Sequence, residues 1–225
     1  MRVAPTPTPL TTAALADAAS GLARRDPDLA RLLARDGTPP MWGRPAGFAT
    51  LVRIILEQQV SLASARAVYA RLRAGTGRVM PERLLALGER RLRALGLTRQ
   101  KTVYVLHLAE AVRSGGLDLR ALATTDDDAA RAALVRLKGI GRWTADIYLL
   151  MALRRPDVWP TGDIALATTV RVVKRLRTPP SHEALARIAE AWRPHRSVAA
   201  RLLWHHYLSR PRGEFRLSRR RAGRT

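Results

Sequence analysis

The sequence predicts an all-α protein, a globular array of short helices, and three observations support that prediction. Apolar residues recur with helical spacing along most of the chain. No stretch shows the regular alternation of polar and apolar residues that marks a half-buried strand. Clusters of glycine and proline divide the body of the chain into about ten segments of helical length. With 225 residues and 47% apolar content, the chain can bury a substantial core.

Three segments show the helical spacing most clearly. The first predicted face comprises Leu62, Ala65, Val68, Tyr69 and Leu72. The second comprises Val103, Leu106, Ala109 and Val112. The third comprises Trp143, Ile147, Leu150 and Met151. The ends differ in composition, so we expect a flexible Pro/Thr-rich lead-in over residues 1–12, a folded body over residues 13–210 and a basic tail over residues 211–225.

The charge balance favours a polyanionic partner. Forty Lys and Arg against 18 Asp and Glu give a formal net charge of +22, which attracts phosphate backbones in a salt-dependent way. A solvated surface rich in Arg because of a GC-rich genome is the alternative explanation. The absence of Cys excludes disulfides, thiolate zinc sites, iron–sulfur clusters and a cysteine nucleophile. The longest apolar run, residues 147–153, is too short to span a bilayer, so we expect a soluble, cytoplasmic protein without a membrane partner.

Residues 137–146, LKGIGRWTAD, indicate a helix, a tight hairpin and a second helix. Two glycines around one apolar residue allow a sharp turn into which the apolar side chain packs. Such a turn exposes amides at the N-terminus of the second helix, where the helix dipole favours a phosphate. A glycine helix cap followed by an unrelated helix is the alternative. The residues assigned to DNA binding here are Lys138, Gly139, Ile140, Gly141 and Arg142.

Asp163 follows a Pro-Thr-Gly turn and precedes a helical segment that begins at Ile164. A carboxylate in this position can cap the helix by accepting an amide hydrogen bond. It can also act chemically on a ligand bound near the hairpin. The two roles are compatible, because a capping carboxylate is held rigidly.

The hairpin segment followed by Asp163 resembles the helix-hairpin-helix DNA glycosylases, which carry a catalytic aspartate after a Gly/Pro-rich loop. Residues 55–61, ILEQQVS, and residues 192–197, WRPHRS, followed by Leu203 and Trp204, resemble the 3-methyladenine DNA glycosylase II branch. The resemblance spans about residues 45–208. It implies two small helical lobes around a DNA-binding cleft, a monomer, and double-stranded DNA containing alkylated bases as the partner.

The resemblance also implies roles for matching positions. Asp163 matches the catalytic aspartate, and the hairpin at residues 137–142 matches the phosphate-binding element. The carbonyls of Leu137 and Gly139 are implied to hold a structural Na⁺ or K⁺, and no catalytic metal or other cofactor is required. Gln59 matches the wedge that enters the duplex beside a flipped nucleotide. An ordinary polar residue at a helix boundary is the alternative for Gln59.

Three aromatic residues are candidates for a base pocket. Trp143 and Trp204 match pocket aromatics of the family, and Tyr148 is a further candidate. Stacking on indole favours a cationic alkylated purine over a neutral base by a cation–π interaction. Simple core packing is the alternative for all three side chains.

The chain departs from the family pattern at several positions. The longest relatives have an N-terminal domain of β character, whereas about 55 helical-patterned residues precede the ILEQQVS segment here, so we expect that domain to be absent. Gln59 stands where a Leu wedge also occurs, Lys138 replaces a common Pro, and Gly162 stands where some relatives have a second carboxylate. Bifunctional relatives carry a Lys nucleophile directly after the hairpin Arg, where this chain has Trp143.

These features predict a monofunctional DNA glycosylase of base excision repair. It would excise N3- or N7-methylated purines by flipping the nucleotide and hydrolysing the N-glycosidic bond. A noncatalytic DNA-binding module is one alternative, although such a module has no need for a carboxylate beside DNA. A glycosylase for a mismatched or oxidised base is the other.

Overall fold

The computed structural model describes residues 8–210, which form twelve helices and no strand, so the all-α prediction is confirmed. The helices are α1 (Thr12–Arg25), α2 (Pro27–Asp36), α3 (Phe48–Glu57), α4 (Leu62–Thr76), α5 (Pro81–Ala94), α6 (Arg99–Arg113), α7 (Ala121–Thr124), α8 (Asp127–Val135), α9 (Arg142–Met151), α10 (Ile164–Val173), α11 (His182–Glu190) and α12 (Arg196–Leu208). The predicted tail and residues 1–7 of the predicted lead-in lie outside the described residues. No helix in the described range has both the length and the apolarity to cross a membrane.

At two helix boundaries an aspartate cap stands in place of the glycine and proline clusters on which the estimate of about ten helices depended. Asp26 separates α1 from α2 and accepts hydrogen bonds from the amides of Asp28 and Leu29. Asp126 separates α7 from α8 and accepts from the amides of Asp128 and Ala129. At both places an aspartate cap starts a new helix directly. The lead-in also ends one residue early, because α1 begins at Thr12.

The chain divides into two compact units, which we describe separately. Among the described residues, unit 1 contains residues 8–11 and 42–161, and unit 2 contains residues 12–41 and 162–210. In unit 1, α9 is buried at every position from Thr144 to Leu150. The burial of α9 therefore extends beyond the predicted apolar face, because α3 and α8 both pack against this helix. A helix that is covered on several sides has no polar face to reveal its orientation.

The predicted faces of α4 and α6 are only partly correct. On α4, Ala65 and Leu72 are buried as expected, but Leu62 is 49% exposed. On α6, the buried face contains Thr102, Val105, Leu108 and Ala109, so only Ala109 was assigned correctly. Thr102 can be buried because its hydroxyl donates to the carbonyl oxygen of Thr98 at 2.9 Å.

In unit 2, α12 is the central helix and packs against α1, α2, α10 and α11. Every residue of α12 from Ser197 to Trp204 is buried, including Arg201. The guanidinium of Arg201 donates to the carbonyl oxygens of Met41 and Ser197 at 3.0 and 3.1 Å. Burial lowers the pKa of Arg201 to about 10. These bonds satisfy a charged group that would otherwise be costly to bury.

Asp26 connects three segments of unit 2. Besides capping α2, its carboxylate accepts from Lys174 Nζ at 2.8 and 3.0 Å and from the indole Nε1 of Trp192 at 2.8 Å. Trp192 is 1% exposed and begins the WRPHRS segment. Burial alone would raise the pKa of Asp26, but the hydrogen bonds from Lys174 and Trp192 lower it below its usual value. Asp26 therefore stabilises the folded chain in its ionised form.

We predict that Asp26→Asn lowers the free energy of unfolding near neutral pH by about 2 kcal/mol, because the charge-assisted bonds are lost while the cap remains. A depressed folded-state pKa stabilises the protein above the ordinary Asp value of 3.8, and this stability is lost as pH falls through the lower, folded value. Urea unfolding at neutral pH and near pH 3 should therefore show a difference between wild type and variant that shrinks in acid.

Asp17→Asn on the exposed side of α1 is the matched control and should leave stability nearly unchanged. An Asp26→Asn deficit of equal size at both pH values would contradict the assigned ion pair.

Candidate active site

The hairpin at residues 137–142 connects α8 to α9, as predicted. It begins with a turn in which the amide of Ile140 donates to the carbonyl oxygen of Leu137 at 3.0 Å. Ile140 is 2% exposed and packs into the turn as expected, whereas Lys138 and Arg142 are exposed. Two cations therefore lie on the solvent side of a turn fixed by one apolar side chain.

The N-terminus of α9 is capped differently from the N-termini of most other helices in the described residues. Six helices begin after an Asp, Ser or Thr whose side chain accepts an amide of the first turn. In contrast, α9 begins after Gly141, which has no side chain and so contributes no cap hydrogen bond. A position without a side-chain acceptor, at the positive end of the helix dipole, suits an external anion.

Gly139 is required by the packing of the hairpin. Its φ of +87° is a left-handed conformation that favours glycine. A Cβ atom at this position would lie 2.1 Å from Cγ of Tyr104, so no side chain fits. Gly141 has a φ of −83°, and a Cβ there would meet no atom within 4 Å. The two glycines therefore have different roles, the first in close packing and the second in leaving open space.

Two residues that the sequence analysis did not single out fix the neighbourhood of the hairpin. Gln58 donates from Nε2 to the carbonyl oxygen of Gly139 and to Oγ1 of Thr144, both at 2.9 Å. Lys101 donates from Nζ to the carbonyl oxygens of Leu56 and Gln58 at 2.7 and 2.8 Å. Burial lowers the pKa of Lys101. A pocket of about 430 Å³ lies here, lined by Gln58, Gln59, Gln100, Lys101, Tyr104, Val135, Leu137, Gly139, Ile140 and Gly141.

Gln59 lies between α3 and α4 with its side chain exposed. Its φ of +55° is a left-handed conformation that is uncommon for a residue with a side chain. Val60 and Leu62, which follow it, are 43% and 49% exposed. The segment therefore presents a polar side chain and two apolar ones to solvent, which fits the wedge role and remains a prediction.

Asp163 caps α10 in unit 2. Its Oδ1 accepts from the amide of Leu166 at 2.9 Å and from the indole Nε1 of Trp204 at 3.3 Å. The residue is 8% exposed, and the N-terminus of α10 favours its negative charge. The next residue, Ile164, is 82% exposed and was not singled out from the sequence. The carboxylate is thus fixed in place, with an exposed apolar side chain directly after it.

The three aromatic candidates lie in different surroundings. Trp204 is 8% exposed and bonded to Asp163, so the structure brings these two candidates together. Trp143 lies half-buried in the first turn of α9 in unit 1. Tyr148 is fully buried, its hydroxyl accepts from the amide of Gly47 at 2.9 Å, and burial raises its pKa. The position of Tyr148 favours the alternative of core packing over a place in a base pocket.

Asp146 fixes the segment that leads to Asp163. This buried residue of α9 accepts from Arg131 Nε at 2.6 Å and from the amide of Thr161 at 3.3 Å. Burial raises the pKa of Asp146. The contact with Thr161 holds the end of unit 1 two residues before Asp163. The sequence analysis missed this role of Asp146, because a carboxylate inside an apolar segment gives no sign of its hydrogen-bond partners.

The carbonyls expected to hold a monovalent cation both accept hydrogen bonds. Leu137 accepts from the amide of Ile140 at 3.0 Å, and Gly139 accepts from Gln58 at 2.9 Å. One remaining lone pair on each oxygen is far from the roughly six oxygen ligands that a hard cation takes. These two carbonyls would supply at most two of the ligands, so the cation remains a prediction and no step below depends on it.

Comparisons with known proteins identify a family and several relatives of this chain. Residues 52–194 match the model of the HhH-GPD superfamily of base excision DNA repair proteins. DNA-3-methyladenine glycosylase 1 of Schizosaccharomyces pombe is 29% identical over 167 residues, which cover 70% of this chain and 71% of that protein. The chain spans 55–57% of the length of three bacterial relatives.

Solved structures show the same fold. A DNA-3-methyladenine glycosidase from Bacillus halodurans matches with a TM-score of 0.75 and 29% identity, covering 92% of this chain and 93% of that one. The 3-methyladenine DNA glycosylase Mag1 of S. pombe, solved in complex with abasic DNA, matches with a TM-score of 0.73 and 25% identity, covering 84% and 95%. The similarity therefore includes both units of the chain.

Proposed function

The chain belongs to the HhH-GPD superfamily of base excision DNA repair proteins, and on that premise we propose that it is a DNA glycosylase for alkylated purines in double-stranded DNA. The reaction is hydrolysis of the N-glycosidic bond of a flipped N3- or N7-methylated purine. The observation that carries the proposal is the carboxylate of Asp163, fixed by the Leu166 amide and the Trp204 indole. The names of the relatives and the abasic DNA bound by Mag1 support it.

The carboxylate of Asp163 supplies the negative charge that the reaction needs. A cationic purine is already a good leaving group, so bond cleavage requires little help from a general acid. Positive charge instead develops on the sugar as the bond breaks, and a fixed carboxylate stabilises it. The same carboxylate can orient the attacking water and accept its proton. The bonds to Oδ1 keep the group from rotating away.

The hairpin and the aromatic side chains have binding roles in this proposal. The N-terminus of α9 binds a DNA phosphate, with Lys138 and Arg142 adding charge. Trp204, which is bonded to Asp163, stacks on the flipped base, and the cation–π interaction favours an alkylated purine by about 0.5–2 kcal/mol. The stacking role of Trp143 stays a prediction. Gln59 fills the space that the flipped nucleotide leaves in the duplex. None of these steps needs a metal ion.

We predict that Asp163→Asn lowers the rate of base release by roughly 10²–10⁴-fold and retains DNA affinity. Asn caps helices as well as Asp, so α10 should remain intact. Release of 3-methyladenine and 7-methylguanine from methylated duplex DNA, separated by chromatography, measures the effect.

Glu183→Gln, an exposed acid in the first turn of α11, is the control for loss of one negative charge from unit 2 and should release base at the wild-type rate. Equal rates in wild type and Asp163→Asn would refute the catalytic assignment. No release by either protein would refute the proposed substrate.

We further propose that the enzyme is monofunctional and leaves an abasic site. The support is Trp143, which occupies the position directly after the hairpin Arg and has no amine to attack the sugar. Lys138 is exposed on the hairpin and is assigned to phosphate. Borohydride reduction during turnover should therefore trap no covalent protein–DNA adduct. A trapped adduct that disappears in Lys138→Met would make Lys138 a nucleophile and overturn this assignment.

The empty space at Gly141 allows a test of phosphate binding by α9. In Gly141→Asp the new carboxylate would cap the helix, so thermal stability should be unchanged or higher. It would also compete with a DNA phosphate, so affinity for an abasic duplex should fall by about ten- to hundredfold at fixed salt. Gly141→Ala adds no acceptor and should bind nearly normally. Unchanged affinity in a folded Gly141→Asp protein would argue against a DNA-facing hairpin.

A further inference from the structure

The loop that joins α3 to α4, residues 58–61, is held at its start by Lys101. The ammonium group donates to the carbonyl oxygens of Leu56 and Gln58, which belong to the end of α3. The last carbonyls of a helix lack partners within it, and a cation is favoured there by the helix dipole. Lys101 therefore fixes the point at which the chain leaves α3.

The side chain of Gln58 joins the same loop to the hairpin. Its amide nitrogen donates both to the carbonyl oxygen of Gly139 and to Oγ1 of Thr144 in α9. The backbone of Gly139 in turn lies against the ring of Tyr104 in α6, the helix that also carries Lys101. The loop, the hairpin and the start of α6 thus interlock within unit 1.

Gln59 directly follows these contacts and carries a strained backbone. A left-handed φ of +55° persists in a residue with a side chain only where the surroundings impose it. The residue before it is bonded through both its carbonyl oxygen and its side chain, while Gln59 itself is exposed. The contacts of Gln58 therefore fix the residue directly before the exposed side chain of Gln59.

We propose that Gln58 and Lys101 are positioning residues that hold Gln59 in its inserting conformation before DNA binds. Phosphate binding at the hairpin and insertion of Gln59 then take place together, because the Gln58 side chain bonds the hairpin and its backbone directly precedes Gln59. The inference rests on the proposed function and deepens it. A wedge that is ordered in advance does not lose conformational freedom at the moment of insertion, so flipping is faster.

The test is a double-mutant cycle on nucleotide flipping. Gln58→Ala, Gln59→Ala and the double variant are made in an Asp163→Asn background, so that the base is retained. Stopped-flow fluorescence of 2-aminopurine beside the lesion reports unstacking of the duplex. We expect each single variant to slow flipping about tenfold and the double variant to be no slower than Gln59→Ala alone. Multiplied effects in the double variant would show that Gln58 does not act through Gln59 and would overturn the inference.

Lys101→Met provides a second variant, which removes the bonds to the loop carbonyls but retains the Gln58 side chain. We expect it to slow flipping in the same way and to lose its effect when Gln59 is already Ala. Arg113→Met is the matched control, because it also removes a cation from α6, but its guanidinium pairs with Glu110 at the C-terminal end of the helix instead of the loop. It should flip at the parent rate. An equal loss in Arg113→Met would attribute the effect to α6 in general and overturn the role of Lys101.

Changing the base opposite the lesion distinguishes a positioning role of Gln58 from a general folding defect in the variant. An unpaired or mismatched lesion is easier to extrude, so Gln58→Ala should be less defective on it than on a paired lesion. A folding defect would reduce both rates equally and would overturn the inference.

The outcomes also distinguish this inference from the proposed function. If wild type releases base but the effects of the variants in the cycle are additive, only this inference fails. If the cycle shows coupling but no methylated base is released, only the proposed substrate fails, and if the parent gives no fluorescence change, both fail.

Discussion

The close approach of the Tyr104 ring to the backbone of Gly139 is the constraint on which the hairpin depends. Because no Cβ fits between them, the turn takes a left-handed conformation that glycine allows. That conformation places the Gly139 carbonyl where Gln58 can bond it and allows Ile140 to be buried beneath the turn. The orientation of the first turn of α9, and with it the proposed phosphate site, follows from this packing and not from the exposed cations around it.

The chain uses helix N-termini in two opposite ways. At α10 the amide of Leu166 in the first turn donates to the carboxylate of Asp163, which is thereby oriented. At α9 the cap is Gly141, and the dipole is available to an anion from outside. One helix end thus holds the carboxylate that we propose acts on the sugar, and the other is suited to the phosphate that we propose it binds. The same backbone physics underlies both proposed roles, one in each unit.

The sequence predicted those features that depend on local rules. Glycine spacing predicted the hairpin, and the Pro-Thr-Gly turn predicted that Asp163 starts a helix. The sequence-based prediction failed where tertiary packing determines which side chains are buried. The face of α6 was misassigned because Thr102 is buried with a satisfied hydroxyl, and the predicted face of α9 was too narrow because that helix is covered on several sides. The roles of Gln58 and Lys101 depend on partners far away in the sequence, so no local pattern could have revealed them.

The high positive charge creates a conflict that the aromatic side chains can resolve. A net charge of +22 attracts DNA but repels a cationic alkylated base, so electrostatic attraction alone would favour the backbone over the lesion. Indole faces attract a cationic base without adding net charge, and they favour it over a neutral base. The bond from the Trp204 indole to Asp163 places one such aromatic beside the carboxylate. Under the proposed function, the arginine-rich chain would supply affinity for any duplex, whereas discrimination between bases would depend on a few uncharged rings and one carboxylate.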